Sequence, residues 1–417
     1  MNGTRLLRAC CVVWIVLAAA LPSRGEQWSR FRGPNGSGVS DATSVPVKWT
    51  AEDVRWKQTL PGLGHSSPVI WDDKVFVSSA DAEAGKRYLF CLQTRDGREL
   101  WRKEFPLPKK GKKHRNNSFA SNSAALDAER VYFLQQDKTG SPLTAFDHAG
   151  NVLWTYDLGP YTHGQGPATS PIVFEDSVIV SNDHKAGSFL LSVDRRTGKE
   201  QWKISRAGKR ACFTTPCVYA VEGRPTELIF SHCYEGISGV DPRTGRENWM
   251  IDVFGTFPQR AVASPFLLGN AIVAGSGAVN GTKTVVVVKP ETSNDKSTAK
   301  EIFRIERTAP HVPTGVAYDG RLYLWNDAGI VSCFDGVTGK KVWQNRTTGT
   351  FFSSPICVNG RLYNINLEGD VYVLATGETF ELLAKNSLEE GSRATMSVGD
   401  GKLFVHTYSQ LIAIGGD

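Results

Sequence analysis

Apolar and polar residues alternate with period two in short runs along most of the chain. Lys74–Ser79 (KVFVSS) is such a run, Tyr88–Leu92 (YLFCL) is a shorter apolar one, and turn-forming residues bound both. Together with a strand opening at Ser67 and one at Arg98–Phe105, they predict four strands. Turns at Asp72-Asp73 and Arg95-Asp96-Gly97 join them into an antiparallel meander. The same grammar then recurs. Val193–Trp202 (VDRRTGKEQW), Val240–Trp249 (VDPRTGRENW) and Phe334–Trp343 (FDGVTGKKVW) are close copies; Leu92–Trp101 and Phe146–Trp154 are looser ones. In all five, Trp stands four residues after Gly: Gly97/Trp101, Gly150/Trp154, Gly198/Trp202, Gly245/Trp249 and Gly339/Trp343. A fixed turn-to-aromatic distance, returning every roughly 40 to 55 residues, marks a repeat protein.

Eight first strands are predicted, opening at Ser67, Ser123, Ser170, Thr215, Ser264, Thr314, Ser354 and Thr395. Every one opens on a hydroxyl residue, and five continue with Pro. Only seven fourth strands follow them in order. The eighth unit stops at Leu411–Ile414, while a spare strand, Val54–Leu60 with Trp56, precedes the first unit. A spare strand that completes the last sheet closes a ring and removes an exposed edge. The expected fold is therefore all-β, an eight-bladed β-propeller with one composite blade. Residues 26–53 are expected to be an irregular lead-in packed on the domain, and residues 54–417 the propeller. Two units depart from the pattern. The fifth carries a polar insertion, Lys289–Lys300, in place of its turn, and is expected to make a surface excursion there. The seventh has Glu381 at the place expected for Trp.

Composition changes this picture little. Hydrophobic residues are 41% and charged residues 22%, as in ordinary globular proteins, and a formal charge of +6 is mild for 417 residues. The basic run Lys109–Arg115 reads as a solvated loop, so no nucleic-acid partner is expected. Arg5 and Arg8 followed by the apolar Ala9–Leu21 read as a secretory signal peptide over residues 1–25. The preferred cleavage is after Gly25, with Ala20 as the alternative. The mature chain is thus expected to be exported, periplasmic or extracellular, without a transmembrane segment, and monomeric. Cys10 and Cys11 stand at the start of the apolar run rather than after it, which places them poorly for lipid attachment. Of the remaining cysteines, Cys91, Cys212, Cys217, Cys233, Cys333 and Cys357, none forms a zinc-like pair. Pairing of the first two strands of the fourth unit brings Cys212 toward Cys233, so a disulfide there is one expectation and buried free thiols the other.

Strand alternation puts all the Gly-containing turns on one face. Trp56, Trp101, Trp154, Trp202, Trp249 and Trp343 are read as blade-docking residues that cover neighbouring turn backbone, a structural role. The opposite face collects the loops that lead into the first strands and those between second and third strands. The candidate ligand-binding residues lie there: His65, His114, Asn116, His163, Gln165, His184, Arg210, His232, Arg260, His311, Arg393 and His406. All eight histidines of the chain are assigned to this face. The result is a polar, partly cationic funnel suited to an anionic or polar ligand. No metal site is indicated by local spacing.

The pattern in Ser192–Trp202 and Gly239–Trp249 resembles the tryptophan-docking repeat of the pyrroloquinoline quinone (PQQ) propeller superfamily. The resemblance covers about residues 54–417 and is specific for fold. The lead-in QWSRFRGPNGSGVS is similar to the start of many exported bacterial PQQ-like repeat proteins. The superfamily holds quinoprotein dehydrogenases and non-enzymatic BamB-type assembly proteins, so the resemblance implies two functional classes. One is a binding or scaffold propeller for a protein, peptide, glycan or small anionic ligand, with outer-membrane assembly as a special case. The other is a PQQ- and calcium-dependent dehydrogenase. That class implies a vicinal disulfide, a Trp floor and calcium-binding acidic residues, yet the only adjacent cysteines are Cys10-Cys11 and funnel acids are few. No cofactor is therefore assigned and no catalytic residue is named.

Overall fold

The computed structural model describes residues 27–416, apart from 109–110, 209, 257–258, 279 and 294–295. The segment read as a signal peptide, with Cys10 and Cys11, lies outside the described residues, as do Lys109 and Lys110 of the basic run. Eight four-stranded antiparallel blades form a β-propeller, and the sheet of blade 7 gains a fifth, parallel strand from the lead-in. Blade 3 shows the plan, with strands Ile172–Phe174, Ser177–Asn182, Phe189–Asp194 and Glu200–Ser205 hydrogen-bonded in sequence order. In blade 8, Val54–Thr59 pairs antiparallel with Gln410–Ile414 as the outermost strand, so a strand that precedes blade 1 in sequence closes the ring. Among the described residues no helix is long and apolar enough to cross a membrane.

The inner and middle strands are buried on both faces, because each blade is packed between two others. Ser177–Asn182 and Phe189–Asp194 are buried almost throughout, whereas Glu200–Ser205 buries chiefly Trp202. Each fourth strand carries a register shift one residue before its docking position, as at Ser192↔Trp202 followed by Val193↔Glu200. The shift recurs in all eight blades. Such a bulge re-aims the next side chain, here toward the neighbouring blade, and it leaves the skipped residue outside; Leu153 and Ile302 are exposed for this reason. The register also corrects the seventh unit. Ala384, not Glu381, pairs with Val373 at the docking position, because the turn after Ala375 is longer than in the other blades.

Docking itself is a hydrogen bond plus a stacked indole. Trp154 Nε1 donates to Arg195 O of the next blade (3.0 Å), and a Cβ on Gly198 would lie 2.6 Å from the Trp154 ring. Trp101, Trp202 and Trp343 reach the carbonyls of His148, Pro242 and Gly377 in the same way, and Trp56 reaches Thr94 O, joining blade 8 to blade 1. Gly is required at these turns because its φ is positive, +70° at Gly198, and because the ring occupies the place of a side chain. Trp249 differs. Blade 5 has no such turn, since its insertion continues the ladder of Lys283–Ser293 with Lys296–Ile305 as a long hairpin rather than leaving the sheet. Trp249 packs with Ile272, Val286 and Val288 of blade 5, but its indole N–H donates to Glu227 Oε2 of its own blade (2.8 Å). Phe303 takes the stacking place over Gly339.

At six of the eight blade junctions the hydroxyl residue that opens a first strand fastens the blades at the inner end. The backbone N–H of Ser67 donates to Ser123 Oγ, Ser123 N–H to Ser170 Oγ, and Thr215 N–H to Ser264 Oγ. Ser264, Thr314 and Ser354 continue the chain to Thr314, Ser354 and Thr395, with distances of 2.9–3.1 Å. A short side-chain acceptor at one fixed position thus satisfies a backbone donor that the start of a neighbouring strand leaves unpaired.

The lead-in crosses the ring axis. Trp28 pairs with Ile70 of blade 1, Ser29 O accepts from Leu126 N–H of blade 2, and Asn35 bonds both backbone groups of Val218 in blade 4. Arg32 spans to blades 6 and 7, donating to Gly315 O (2.6 Å) and Pro355 O (2.8 Å), and Arg30 donates to Pro216 O. Val39–Ser40 then runs parallel to Ile356–Val358. The segment therefore closes the central channel just inside the hydroxyl ring.

Candidate functional site

Above this plug lies a cavity of about 530 Å³. Its floor includes Phe31 of the lead-in and hydroxyls of the ring, and its wall is built from the loops that lead into the first strands. Of the residues singled out in the sequence, His65, His114, Asn116, Gln165, Arg260, His311 and Arg393 line it. Phe213, Lys283, Asp327 and Phe352 line it as well. The aromatic members were not legible in the sequence, because nothing marks a Phe in a loop as facing the axis rather than the core.

Other predicted residues sit behind the wall. His163 packs at a tilt against Tyr161, ring centres 4.6 Å apart, and accepts from Gly166 N–H (2.7 Å); His184 also packs against Tyr161, at 5.1 Å, and accepts from Thr162 N–H. His406 is buried with Nδ1 2.8 Å from Ser66 O, and His232 is buried beside Arg210 O. The reading that all eight histidines share one face is corrected by His148. It sits in the docking turn of blade 2, where its carbonyl accepts from Trp101 and its ring meets Trp71 and Phe76. That turn is shorter than the others (FDHAG), and its His stands where Thr94, Arg195 and Pro242 stand in other blades, at the carbonyl that accepts from a docking Trp.

Burial decides which groups carry charge. It lowers His65 to about 3, with Arg393 beside it adding to the effect, and His406 to about 4. His163 falls to about 4, also chiefly through burial, and burial lowers His311. These imidazoles are neutral at pH 7, so the positive field of the cavity comes from Arg260, Lys283 and Arg393. The cavity holds one carboxylate, Asp327, and its two oxygens accept the backbone N–H groups of His311 (2.7 Å) and Val312 (3.2 Å). Arg393 lies over the rings of Phe352 and Tyr408 at 5.8 and 5.1 Å, held in a cation–π arrangement that keeps its charge at the cavity.

A pH dependence follows. His65 and His406 have folded values below that of a free imidazole, about 6.5, so the folded chain binds fewer protons than the unfolded one. The stability they allow is present above about pH 6.5. It is lost as the pH falls toward 4 and 3, where the folded forms must take the proton. Urea midpoints are expected to fall steadily from pH 7 to pH 4, and His406→Asn to make that dependence shallower. A flat wild-type profile over this range would contradict the burial argument.

The cavity differs from the calcium–quinone pattern implied by the resemblance. Calcium takes six to eight oxygen ligands, whereas one already bonded carboxylate faces this cavity. No Trp lines it, and no two cysteines are adjacent among the described residues. The residues present do not fit such a centre.

The family profile described as outer membrane protein assembly factor BamB matches residues 45–159, 86–306 and 235–415. No curated protein matches the sequence. Among solved structures, BamB from Moraxella catarrhalis superposes with a TM-score of 0.58 at 13% identity, covering 86% of this chain and 97% of that one. A europium-containing methanol dehydrogenase gives 0.62 at 14%, covering 94% and 90%. The quinohemoprotein alcohol dehydrogenase from Comamonas testosteroni gives 0.65 at 13%, covering 95% and 81%. At these identities the structural likeness concerns the fold.

Proposed function

The chain belongs to the PQQ-like propeller family described as outer membrane protein assembly factor BamB, and from that premise we propose that it is an exported binding propeller whose funnel holds an acidic segment of a protein partner. The observation that carries this reading is the convergence of Arg260, Lys283 and Arg393 with Phe31, Phe213 and Phe352 around one cavity. Three cations against one internally bonded carboxylate attract an anion, and the aromatic rings supply apolar contact for the chain that bears it. A peptide carboxylate suits the space better than a folded surface, because the cavity is concave and floored by the plug. Export is supported by the family and by the basic and apolar N-terminal residues.

The test is calorimetric titration with a panel of short peptides that differ only in Asp and Glu content. Acidic peptides are expected to bind and their amide counterparts to fail. Arg260→Ala and Arg393→Ala are each expected to weaken binding about tenfold, or about 1.4 kcal/mol, and added salt to weaken it further. Equal binding of acidic and amide peptides would overturn the reading. The dehydrogenase alternative is checked separately by adding PQQ with calcium. No dye reduction with alcohols is expected, and turnover would replace the binding reading.

A further inference from the structure

Cys212 lies just before the first strand of blade 4, Cys217–Tyr219, and Cys233 just after the second, Glu227–His232. Antiparallel pairing of these strands brings together two thiols 21 positions apart. Their sulfurs lie 3.3 Å from each other, and Cys233 N–H also donates to Cys212 Sγ at 3.4 Å. His232 completes the group. One donor atom from each of the three residues lies within 4.8 Å of the others, and all three side chains are buried. Cys91, Cys217, Cys333 and Cys357 are buried too, but none belongs to such a cluster among the described residues.

Two thiolates and one imidazole are the donor set of a soft, thiophilic cation. The ring is arranged as a ligand requires. Nε2 lies 3.3 Å from Arg210 O and donates to it in the tautomer in which Nδ1 accepts from Tyr234 N–H (3.1 Å). A metal-bound histidine characteristically donates its second ring N–H to a carbonyl, which fixes the tautomer and the ring plane. The Nδ1 lone pair accepts from the Tyr234 N–H, and that one contact is what the cation would replace. Burial selects among cations. Zinc takes four ligands, and among the described residues no fourth His, Cys, Asp or Glu donor joins this cluster. A three-coordinate monovalent cation needs none. The charge also closes: two thiolates and one monovalent cation leave one negative charge, with the guanidinium groups of Arg210 and Arg260 close to Cys233.

We propose that Cys212, His232 and Cys233 form a three-coordinate site for a thiophilic monovalent cation of the Cu(I) class, set behind the funnel wall. Binding exchanges two thiol protons for one Cu(I), with no change in oxidation state. The site adjoins the cavity, because Phe213 and Arg260 line the wall, Phe213 N–H bonds Ala261 O (2.9 Å) and Arg260 Nη1 bonds Ala211 O (2.8 Å). A cation would cross-link the loop before the first strand to the turn after the second, stiffening that wall. This inference does not depend on what the funnel binds.

The experiment uses the full chain, reduced with a phosphine under anaerobic conditions and titrated with Cu(I) against a chromophoric Cu(I) chelator. One equivalent is expected to be withheld from the chelator, with X-ray absorption showing two sulfur and one nitrogen neighbour. Cys212→Ser and Cys233→Ser are each expected to lower affinity at least 100-fold, His232→Gln to remove the nitrogen neighbour, and Cys91→Ser to change nothing. The absorption spectrum of the unaltered protein keeps the test decisive even if a variant fails to fold. Failure to withhold Cu(I) would overturn the proposal. So would preferential retention of Zn(II) at four coordinates, or a Cys212–Cys233 disulfide whose reduction restores no Cu(I) binding.

Discussion

Arg32→Met is expected to lower the stability of the propeller by about 3–5 kcal/mol, read as a large drop in the urea midpoint. Arg32 is fully buried, and burial without a carboxylate partner disfavours its charge. It persists because its fork serves four carbonyls. Nε bonds Gly36 O, Nη1 bonds Pro355 O, and Nη2 bonds both Ser37 O and Gly315 O. Methionine fills similar volume but leaves the carbonyls of blades 6 and 7 without donors in a place closed to water. Arg32→Lys keeps the charge and loses the planar fork, so it is expected to fall between the two. If Arg32→Met unfolded within about 0.5 kcal/mol of the parent chain, the lead-in would be an ornament on the ring rather than part of its core.

Trp154→Ala is expected to cost about 3–5 kcal/mol through the cavity it leaves between blades 2 and 3. Its indole is buried against the Gly198 turn, and its N–H is the donor to Arg195 O. Gly198→Ala alone should also destabilise, since a Cβ would meet the ring at 2.6 Å and the φ of +70° is strained for any other residue. The two costs are not independent. With the indole removed, the added methyl has room and only the backbone strain remains, so the double variant is expected to be less destabilised than the sum of the singles. Additive costs in equilibrium unfolding would show that the ring and the turn do not meet as described.

Much of the ring was legible because each of its rules is local. The Gly needs a positive φ within its own turn, Trp follows at a fixed distance, and a hydroxyl opens every first strand. The meaning of that hydroxyl was not legible, since in six of the eight blades its partner is a backbone N–H on an adjacent blade. Where a local rule was interrupted, the reading slipped. The longer turn of blade 7 moved the docking place to Ala384, and the short turn of blade 2 hid His148 among the funnel histidines.

The candidate site shows the same division. Loop order assigned His65, His114, Arg260, His311 and Arg393 to the channel mouth, and they line the cavity. Depth was another matter. His163, His184, His232 and His406 come from loops of the same face but turn behind the wall, and no pattern in the sequence distinguishes a side chain pointing to the axis from one packed beneath it.

The sequence by itself determined the all-β class, the eight units, the ring closed by the strand at Trp56 and the face that carries the funnel. These follow from periodicity and turn chemistry, which are properties of neighbours along the chain. Only the tertiary structure decided that the lead-in plugs the channel, that Phe31, Phe213 and Phe352 face its cavity, that burial keeps His65, His163, His311 and His406 neutral, and that two thiols and an imidazole share one buried place. Each of these depends on groups distant in sequence meeting where water is excluded, and burial and charge at a point are set by everything packed around it.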